Sequence, residues 1–294
     1  MSEPIYAGVE LGGTKCVAIL TRGPDQIVER QIIATTSPEE TLGAIERQLL
    51  EWHAEHGFAS LGIASFGPVE LDQSSPSYGQ IVRTSKAGWS DTDVARRLER
   101  ATGMPTAFDT DVNGAALAEM RWGVGQGFDD FAYITVGTGV GVGLIVNGQP
   151  TRGFAHSELG HIRPARLVGD DFAGCCPYHG DCVEGLASGP AIQARLGGRA
   201  IESISNDDPL WDAVAWTLAQ LCHAIVCAAA PRAIAIGGGV MTGQPHLLER
   251  IEHMLVDSLA GYMPLPPGRY VQPPGLGAEA GPLGAIALAM TARR

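Results

Sequence analysis

Residues 5–20 of the chain are IYAGVELGGTKCVAIL, in which two apolar, β-branched runs flank Gly12 and Gly13. Runs of this length around a glycine turn predict a strand, a turn and a second strand. The G-x-x-x-x-G-K-[ST] spacing of a Walker loop is missing, and a strand is predicted where that loop would enter a helix. The turn can still direct backbone N–H groups at a phosphate, with the Thr14 hydroxyl and Lys15 ammonium as further donors. An ordinary hairpin would have the same pattern.

The same arrangement occurs again at residues 134–146, ITVGTGVGVGLIV, with Gly137, Thr138 and Gly139 at the turn. Two similar hairpins about 125 residues apart predict a duplicated fold, in which each of two lobes contributes one phosphate-facing turn. Residues 233–240, AIAIGGGV, predict a buried strand that ends in a third glycine turn. That turn leaves room for a flat group such as an adenine ring, although a strand-to-helix turn without a ligand would look the same.

Length and composition restrict the class of protein. The chain has 294 residues, 45% of them hydrophobic and 18% charged, which is enough for a full core and for two lobes. Its formal charge of -12 argues against a nucleic acid or a membrane surface as partner, because phosphate-rich surfaces need clustered Lys and Arg. The opening MSEPIYAGVE has no signal region, and no apolar run reaches the ~18 residues of a membrane span. Six cysteines in so long a chain do not form a disulfide framework, so we expect a reducing, cytoplasmic setting.

A strand that runs directly into a helix is predicted at residues 105–123, PTAFDTDVNGAALAEMRWG. Asp111 would lie at the N-terminus of that helix, close to any ligand at the end of the strand. An aspartate at this position is also common as a helix cap alone, so the pattern leaves both interpretations open. Just before it, residues 91–102 predict a helix capped by Ser90 or Asp91.

Candidate metal ligands are concentrated in residues 156–190, HSELGHIRPARLVGDDFAGCCPYHGDCVEGLASGP. Cys176, His179 and Cys182 form a C-x2-H-x2-C array, and His161 lies fifteen residues upstream. Together they supply four nitrogen and sulfur ligands for a tetrahedral zinc ion. The alternative is a chance grouping, because free cysteines are often simply buried apolar residues.

Four protein ligands leave no open position for water, so the predicted zinc is structural and not a Lewis acid. Its expected task is to fix Glu158, His161 and Glu184 relative to one another. Cys175 leaves the ligand set open, because it adjoins Cys176 and could replace it.

Several short motifs occur together along the chain: GGTK, DVNGAALAE, VGTGVGVG, the E-x-G-H of residues 158–161, the cysteine-histidine array, EGLASGP and IGGGV. In this order, and over nearly the whole chain, they resemble the ROK family of sugar kinases. The chain is similar in particular to the bacterial fructokinase branch, which SFGP, SYGQIVRTSKAGW, TDVN and CPYHGDCVEGLASGPA match. Glu10 stands where most members carry Asp, and other ROK kinases usually have C-x-C-x4-C without the histidine at position 179. Ser157 departs from the His-Pro-Glu common in this branch.

The resemblance implies an α/β protein with the duplicated actin-like, ribonuclease-H-like ATPase fold, in which nucleotide and sugar meet in a cleft between two lobes. The N-terminal α/β lobe would comprise residues 1–118, and a C-terminal helix at about 279–294 would pack back onto it. The C-terminal α/β lobe would comprise residues 119–278 and carry the zinc loop.

The resemblance also implies a role for each motif residue. The residues implied in ATP binding are Gly12, Gly13, Thr14, Lys15, Gly137, Thr138, Gly139, Gly237, Gly238 and Gly239. The residues implied in sugar binding are Gly67, Thr110, Asp111, Glu158, His161 and Glu184. Asp111 would be the catalytic base, which accepts the proton of the sugar's 6-hydroxyl as that oxygen attacks the γ-phosphoryl group of ATP. His161 would bind zinc through one ring nitrogen and the sugar through the other.

The resulting prediction is a zinc-containing fructokinase that uses ATP with Mg²⁺, makes fructose 6-phosphate and forms a homodimer. A hexokinase preferring mannose or glucose is an alternative, because only a few hydrogen bonds separate such sugars. Members that bind N-acetylmannosamine carry Asn where Thr110 stands, which weakens an amino-sugar interpretation.

Two alternatives belong to other classes of protein. A ROK sugar-responsive repressor needs a DNA-binding helix-turn-helix before the GGTK strand, and only about eight residues precede that strand here. A non-catalytic sugar-binding regulator is the other alternative. The presence of Asp111 and of both glycine turns argues against it.

Overall fold

The computed structural model describes residues 4–292, which form two compact units. Unit 1 contains the described parts of Met1–Gln126, Thr151–His156 and Ala278–Arg294. Unit 2 contains Gly127–Pro150 and Ser157–Gly277. The chain therefore returns from unit 2 to unit 1 twice, once as a short segment and once as the C-terminal helix.

Strands and helices are mixed along the chain. The strands are β1 (Tyr6–Leu11), β2 (Lys15–Thr21), β3 (Ile27–Ala34), β4 (Leu61–Ser65), β5 (Gln80–Ile81), β6 (Thr92–Asp93), β7 (Thr106–Thr110), β8 (Phe131–Val136), β9 (Val140–Val146), β10 (Gln149–Pro150), β11 (Ile234–Gly237) and β12 (Val271–Gln272). The α-helices are α1 (Pro38–Glu55), α2 (Ala95–Thr102), α3 (Asp111–Trp122), α4 (Val183–Ala187), α5 (Gly189–Leu196), α6 (Pro209–Ala229), α7 (Gly239–Gly243), α8 (Leu247–Leu259) and α9 (Ala280–Ala289). Single turns of 3-10 helix occupy Leu159–His161, Ile201–Ser203 and Gly277–Glu279.

The sheet of unit 1 has five strands in the order β3-β2-β1-β4-β7. Strand β1 is antiparallel to β2 and parallel to β4, and β4 is parallel to β7. Helix α9 packs against β1, β4 and α3. Its approach to the sheet requires glycine at position 62, because a Cβ there would lie 1.8 Å from the carbonyl oxygen of Ala285. The C-terminal helix is thus part of the core of unit 1.

The sheet of unit 2 repeats this topology with five strands in the order β10-β9-β8-β11-β12. Strand β8 is antiparallel to β9 and parallel to β11, which is parallel to β12. Both predicted glycine hairpins are therefore present, as β1–β2 and β8–β9, at corresponding places in the two sheets. The duplicated fold predicted from their spacing is confirmed.

Helix α6 is the central helix of unit 2, with Trp211, Leu218 and Ile225 fully buried. Among the described residues it is the one helix with the length and apolar composition of a membrane span. A core helix passes the same test, and 56% of its apolar window is buried.

The helix predicted at residues 91–102 begins later than expected, so the prediction of a cap at Ser90 or Asp91 is wrong. Helix α2 starts at Ala95, with Val94 at the capping position. The preceding residues form β6, which pairs with β5 in a two-stranded sheet, and Asp91 has a positive φ of 60°. The backbone groups of residues 92–93, which the local pattern assigned to a helix, therefore form hydrogen bonds with β5 instead.

Candidate functional site

Three chain segments meet at one edge of the unit 1 sheet, where the parallel strands β1, β4 and β7 end. Leu11 pairs with Ser65, and Ser65 pairs with Thr110, so these strand ends are level. The segments that follow are the first glycine turn (residues 12–15), the loop with Gly67, and the start of α3. The carboxyl edge of parallel strands is where ligands bind in open α/β sheets.

The first glycine turn is held by Thr35, which directly follows β3, and by Lys86. The Thr35 hydroxyl donates to the carbonyl of Gly12 at 2.8 Å, and the Thr35 N–H donates to the carbonyl of Thr14 at 3.0 Å. The Lys86 ammonium donates to the carbonyl of Gly13. The side chains of Thr14 and Lys15 are exposed, as donors for a phosphate would have to be.

Glu10 is a half-buried carboxylate beside this turn that the sequence reasoning did not assign to the site. Burial raises the pKa of Glu10, and the Lys15 ammonium partly opposes that rise. An acidic residue within the apolar run YAGVEL was the available signal, because isolated carboxylates are rarely buried in strands.

Asp111 is the first residue of α3, and the capping role belongs to its neighbour. The Thr110 hydroxyl accepts the N–H of Asn113 at 3.2 Å, as an N-cap does, while Oδ1 of Asp111 accepts the N–H of Val112 at 2.9 Å. The interpretation of Asp111 as the helix cap is therefore wrong. Its half-buried carboxylate lies at the carboxyl edge of the sheet.

Asp109 is a second carboxylate at this edge, and it is fully buried. Its Oδ1 accepts the N–H of Thr110 at 2.8 Å and the side-chain amide of Asn113 at 2.8 Å. Its Oδ2 accepts a hydrogen bond from the guanidinium of Arg152. Sequence reasoning missed this group, although a charge inside a strand, in FDTD, was visible.

The four predicted metal ligands lie together in unit 2. The ligand atoms of His161, Cys176, His179 and Cys182 are all within 4.8 Å of one another. Nδ1 of His161 lies 3.8 Å from Sγ of Cys176 and 3.5 Å from Sγ of Cys182, and Nδ1 of His179 lies 3.8 Å from Sγ of Cys176. Cys175 is exposed and lies outside this group, which we call the metal cluster.

The geometry of the metal cluster suits a tetrahedral ion. A sulfur bound at ~2.3 Å and a nitrogen bound at ~2.0 Å lie about 3.5 Å apart at the tetrahedral angle. The sulfur–nitrogen distances of 3.5 to 3.8 Å agree with that value. Burial raises the pKa of the Cys182 thiol, so metal binding at this position would displace a proton. Two thiols and two imidazoles are the donors that a metal such as zinc prefers.

The metal cluster is continuous with the helix that carries Glu184. Sγ of Cys182 accepts the N–H of Gly185 at 3.4 Å and so caps α4. Oε2 of Glu184 accepts the N–H of Val140 at 3.1 Å, directly after the second glycine turn (residues 137–139). The metal loop and that turn are therefore connected through one short helix.

Further contacts attach the second glycine turn to the same part of unit 2. The N–H of Gly189, at the start of α5, donates to the carbonyl of Gly137 at 2.7 Å. A Cβ at Gly160 would lie 1.8 Å from the carbonyl oxygen of Val140, so the turn containing Glu158 and His161 packs closely against β9. A Cβ at Gly238 would lie 2.4 Å from the carbonyl oxygen of Val136, so the third glycine turn also reaches this edge.

The structure thus divides the predicted site residues into two groups. One group lies at the carboxyl edge of the unit 1 sheet and consists of Gly12, Gly13, Thr14, Lys15, Gly67, Thr110 and Asp111. The other lies in unit 2 and consists of Gly137, Thr138, Gly139, Glu158, His161, Cys176, His179, Cys182, Glu184, Gly237, Gly238 and Gly239. Each group contains at least one glycine turn and at least one carboxylate.

Comparison with known proteins accounts for this arrangement. A fructokinase from Zymomonas mobilis is 41% identical over 297 residues, which cover 99% of this chain and 98% of that protein. The structure of a ROK hexokinase from Thermus thermophilus matches with a TM-score of 0.79 and 28% identity, over 97% of this chain and 98% of that one. A ROK family glucokinase from Streptomyces griseus, in complex with glucose and AMPPNP, matches with a TM-score of 0.77 and 26% identity, over 97% and 99%.

These structural matches and the two like sheets confirm the duplicated actin-like ATPase fold. The model of the ROK family matches residues 6–292, which is nearly the whole chain. By that match and by its full-length relatives, the chain belongs to the ROK family.

Proposed function

We propose that this ROK protein transfers the γ-phosphoryl group of ATP to the 6-hydroxyl of fructose, giving fructose 6-phosphate and ADP. The full-length similarity to a fructokinase supports the choice of sugar. The observation that carries the reaction type is the position of Asp111. Asp111 is the first residue of α3, at the sheet edge that also carries the first glycine turn. Thr110 caps the helix, so the Asp111 carboxylate is not used as the cap.

Asp111 acts as the base for the attacking hydroxyl. A carboxylate is too weak a base to ionise an alcohol beforehand, so its main effect is to orient the 6-hydroxyl toward the phosphorus atom. The proton passes to Asp111 late, as the bond to the leaving ADP loosens. Mutation of such a group lowers kcat more than it weakens sugar binding.

The glycine turns bind the phosphates of MgATP through backbone N–H groups, which explains how a chain of net charge -12 can hold a polyanion. Thr14 and Lys15 add a hydroxyl and an ammonium in the first turn. Gly237, Gly238 and Gly239 border the adenosine, where side chains would obstruct a flat ring. These assignments rest on the glycine pattern and on the sheet edges at which the turns lie.

The metal cluster holds a structural zinc ion, for which His161, Cys176, His179 and Cys182 supply all four ligands. When bound, the ion supplies a cross-link within the loop and no Lewis-acid chemistry. Nδ1 of His161 faces the sulfurs, so its Nε2 points away from them and serves as the proposed sugar ligand.

Glu158 and Glu184 are the other proposed sugar ligands from unit 2, and Gly67 is the proposed contact from unit 1. Glu184 holds the N–H of Val140 with Oε2, so Oε1 is the oxygen proposed for a sugar hydroxyl. The proposed enzyme is a homodimer, as the family resemblance implies, in the reducing, cytoplasmic setting that its cysteine usage predicts.

A hexokinase with a preference for glucose or mannose is the second candidate function. The two structural matches named above, a hexokinase and a glucokinase, favour it. These sugars and fructose differ in a few hydroxyl positions, which a small number of hydrogen bonds discriminate.

A coupled assay of ADP release tests the proposal. Fructose, mannose, glucose and N-acetylglucosamine are compared at equal concentration, and zinc is measured on the same sample. We expect the kcat/KM of fructose to exceed that of each other sugar by at least ~10-fold, which corresponds to about 1.4 kcal/mol. A higher kcat/KM for glucose or mannose would establish the second candidate. No ADP release with any sugar would leave a non-catalytic sugar-binding protein.

A further inference from the structure

The segment Thr151–His156 belongs to unit 1, although the chain on both sides of it belongs to unit 2. We call it the return segment. Arg152 and His156 form a β-bridge, and the N–H of Gly153 donates to the carbonyl of Ala155 at 3.0 Å, so the segment is a closed turn. Phe154 at its tip is fully exposed. The two residues at the base of the turn make all the contacts considered below.

His156 holds the loop that follows β4. Its ring is buried, and Nε2 accepts the N–H of Val69 at 3.1 Å. A Cβ at Gly67 would lie 3.5 Å from the ring, so the imidazole packs directly on the backbone of this proposed sugar contact. Because Nε2 accepts, this contact requires a ring nitrogen without a proton, as in neutral imidazole.

Arg152 holds the start of α3. Its guanidinium pairs with Asp109, whose side chain is 1% exposed. The same carboxylate binds the N–H of Thr110 and the amide of Asn113, the residues on either side of Asp111 and Val112. A buried carboxylate without an ion-pair partner is strongly unfavourable, so Arg152 holds the Asp109 side chain in place.

We infer that Arg152 and His156 are positioning residues for phosphoryl transfer, acting on different parts of the reaction. His156 orders the Gly67 loop and so affects sugar binding, whereas Arg152 orders the first turn of α3 and so affects the alignment of Asp111. Neither residue is assigned contact with a substrate. The inference rests on the proposed function, because it takes Gly67 as a sugar contact and Asp111 as the base.

The test compares kcat and KM of full-length variants with fructose and MgATP. For His156→Leu we expect KM for fructose to rise about 5- to 10-fold with kcat within about twofold, since one buried hydrogen bond and the order of one loop are lost. His156→Gln should restore most of the affinity, because its amide oxygen can accept the N–H of Val69. For Arg152→Gln we expect kcat to fall about 10-fold with KM for fructose within about twofold.

Arg100→Gln is the matched control for Arg152→Gln. Arg100 pairs with Asp93 in unit 1, and its side chain is 67% exposed, so its loss should leave both constants unchanged. Equal effects of Arg152→Gln and Arg100→Gln would refute the role of Arg152. Equal impairment by His156→Leu and His156→Gln would refute the hydrogen bond and leave ring packing alone.

Amide hydrogen exchange separates a failure of this inference from a failure of the proposed function. Removal of the contacts should accelerate exchange at residues 67–70 in His156→Leu and at residues 110–113 in Arg152→Gln, by roughly 10-fold. Unchanged exchange there would refute the positioning roles, whatever the activity. A wild-type protein that phosphorylates no hexose would refute the proposed function, while the exchange data would still decide whether the return segment orders these two loops.

Discussion

The two glycine turns occupy corresponding places in two sheets of the same topology, yet different parts of the chain hold them. The first turn (residues 12–15) is held by Thr35, which directly follows β3, and by Lys86. The second turn (residues 137–139) is held by Glu184 and Gly189, which follow the metal cluster. The two sheets therefore share a topology, but the contacts that hold their glycine turns differ. The turn in unit 1 is held by the residue that follows β3 and by Lys86, and the turn in unit 2 is held by helices α4 and α5, which follow the metal loop.

Among the described residues, the metal cluster lies in unit 2, just before the helices that hold the second turn. Between the 3-10 turn that ends at His161 and the start of α4 at Val183, the chain contains neither helix nor strand. A loop of about 20 residues without secondary structure cannot hold its own shape, and such loops are uncommon in compact domains unless they are functional. A metal cross-link and a buried ion pair are two ways to order it.

Asp111→Asn removes the proposed catalytic base in unit 1 and leaves the metal cluster in unit 2 intact. It should have the largest effect on activity. We expect kcat to fall at least ~10²-fold, since the amide cannot accept the proton, while KM for fructose changes little. Zinc content and melting temperature should equal those of the wild type, because Asp111 and the metal cluster belong to different units. A kcat within a few-fold of wild type would remove Asp111 from the mechanism.

Cys176→Ser tests whether the second turn depends on the metal loop. We expect loss of bound zinc and a melting temperature lower by roughly 10 °C, as for a structural site in a protein of this size. Hydrogen exchange should accelerate at residues 137–140 and stay unchanged at residues 12–15. Equal acceleration at both turns would contradict the comparison.

Cys175→Ser is the matched control, because Cys175 is the adjacent cysteine, is exposed and lies outside the metal cluster. It should retain zinc and the wild-type melting temperature. Loss of zinc from Cys175→Ser would show that the two neighbouring cysteines exchange as ligands.

Local patterns were enough to predict the features whose residues are close in sequence. The two hairpins follow from β-branched runs around glycine turns, and the three ligands at 176, 179 and 182 follow from their spacing. The duplicated topology followed from comparing two such local signals. The catalytic and substrate-binding roles of the individual residues remain predictions.

Contacts between distant residues could not be predicted in the same way. Asp109 and Arg152 are 43 positions apart, and Glu184 and Val140 are 44 apart, so no periodicity or spacing connects them. The predicted start of α2 was wrong for a related reason, because residues 92–93, which the helical pattern included, form β6 and pair with β5. In each case a tertiary contact decides what the local sequence leaves open.

Asp170→Asn tests the buried ion pair between Asp170, in the loop of residues 162–182, and Arg195. The two terminal guanidinium nitrogens of Arg195 donate to the two oxygens of the Asp170 carboxylate, at 2.8 and 2.9 Å. Both side chains are nearly buried. We expect the melting temperature at pH 7 to fall by about 5 °C, because Arg195 is left buried without its partner. Asp212→Asn removes a more exposed pair with Arg250 and should lower it by less than about 2 °C.

The acid dependence of this ion pair follows from its pKa. The hydrogen bonds from Arg195 lower the pKa of Asp170 below that of an unfolded aspartate, near 4. The stability that the pair contributes is therefore complete above about pH 4 and is lost as the pH falls through the lower native pKa. The difference in melting temperature between wild type and Asp170→Asn should be constant from pH 5 to 7 and should shrink below about pH 4. A difference that stays constant on acidification would contradict the ion pair.

Thr35→Val should have the smallest effect and tests the support of the first turn. Valine matches threonine in shape, keeps the N–H that donates to Thr14 and loses the hydroxyl that donates to Gly12. We expect KM for MgATP to rise about threefold, from the loss of one partly buried hydrogen bond, with KM for fructose and zinc content unchanged. Thr106→Val is the control, because that hydroxyl donates to Met104 at the opposite end of β7. If Thr35→Val released zinc, the support of the two turns would not be separate, and the contrast between the units would fail.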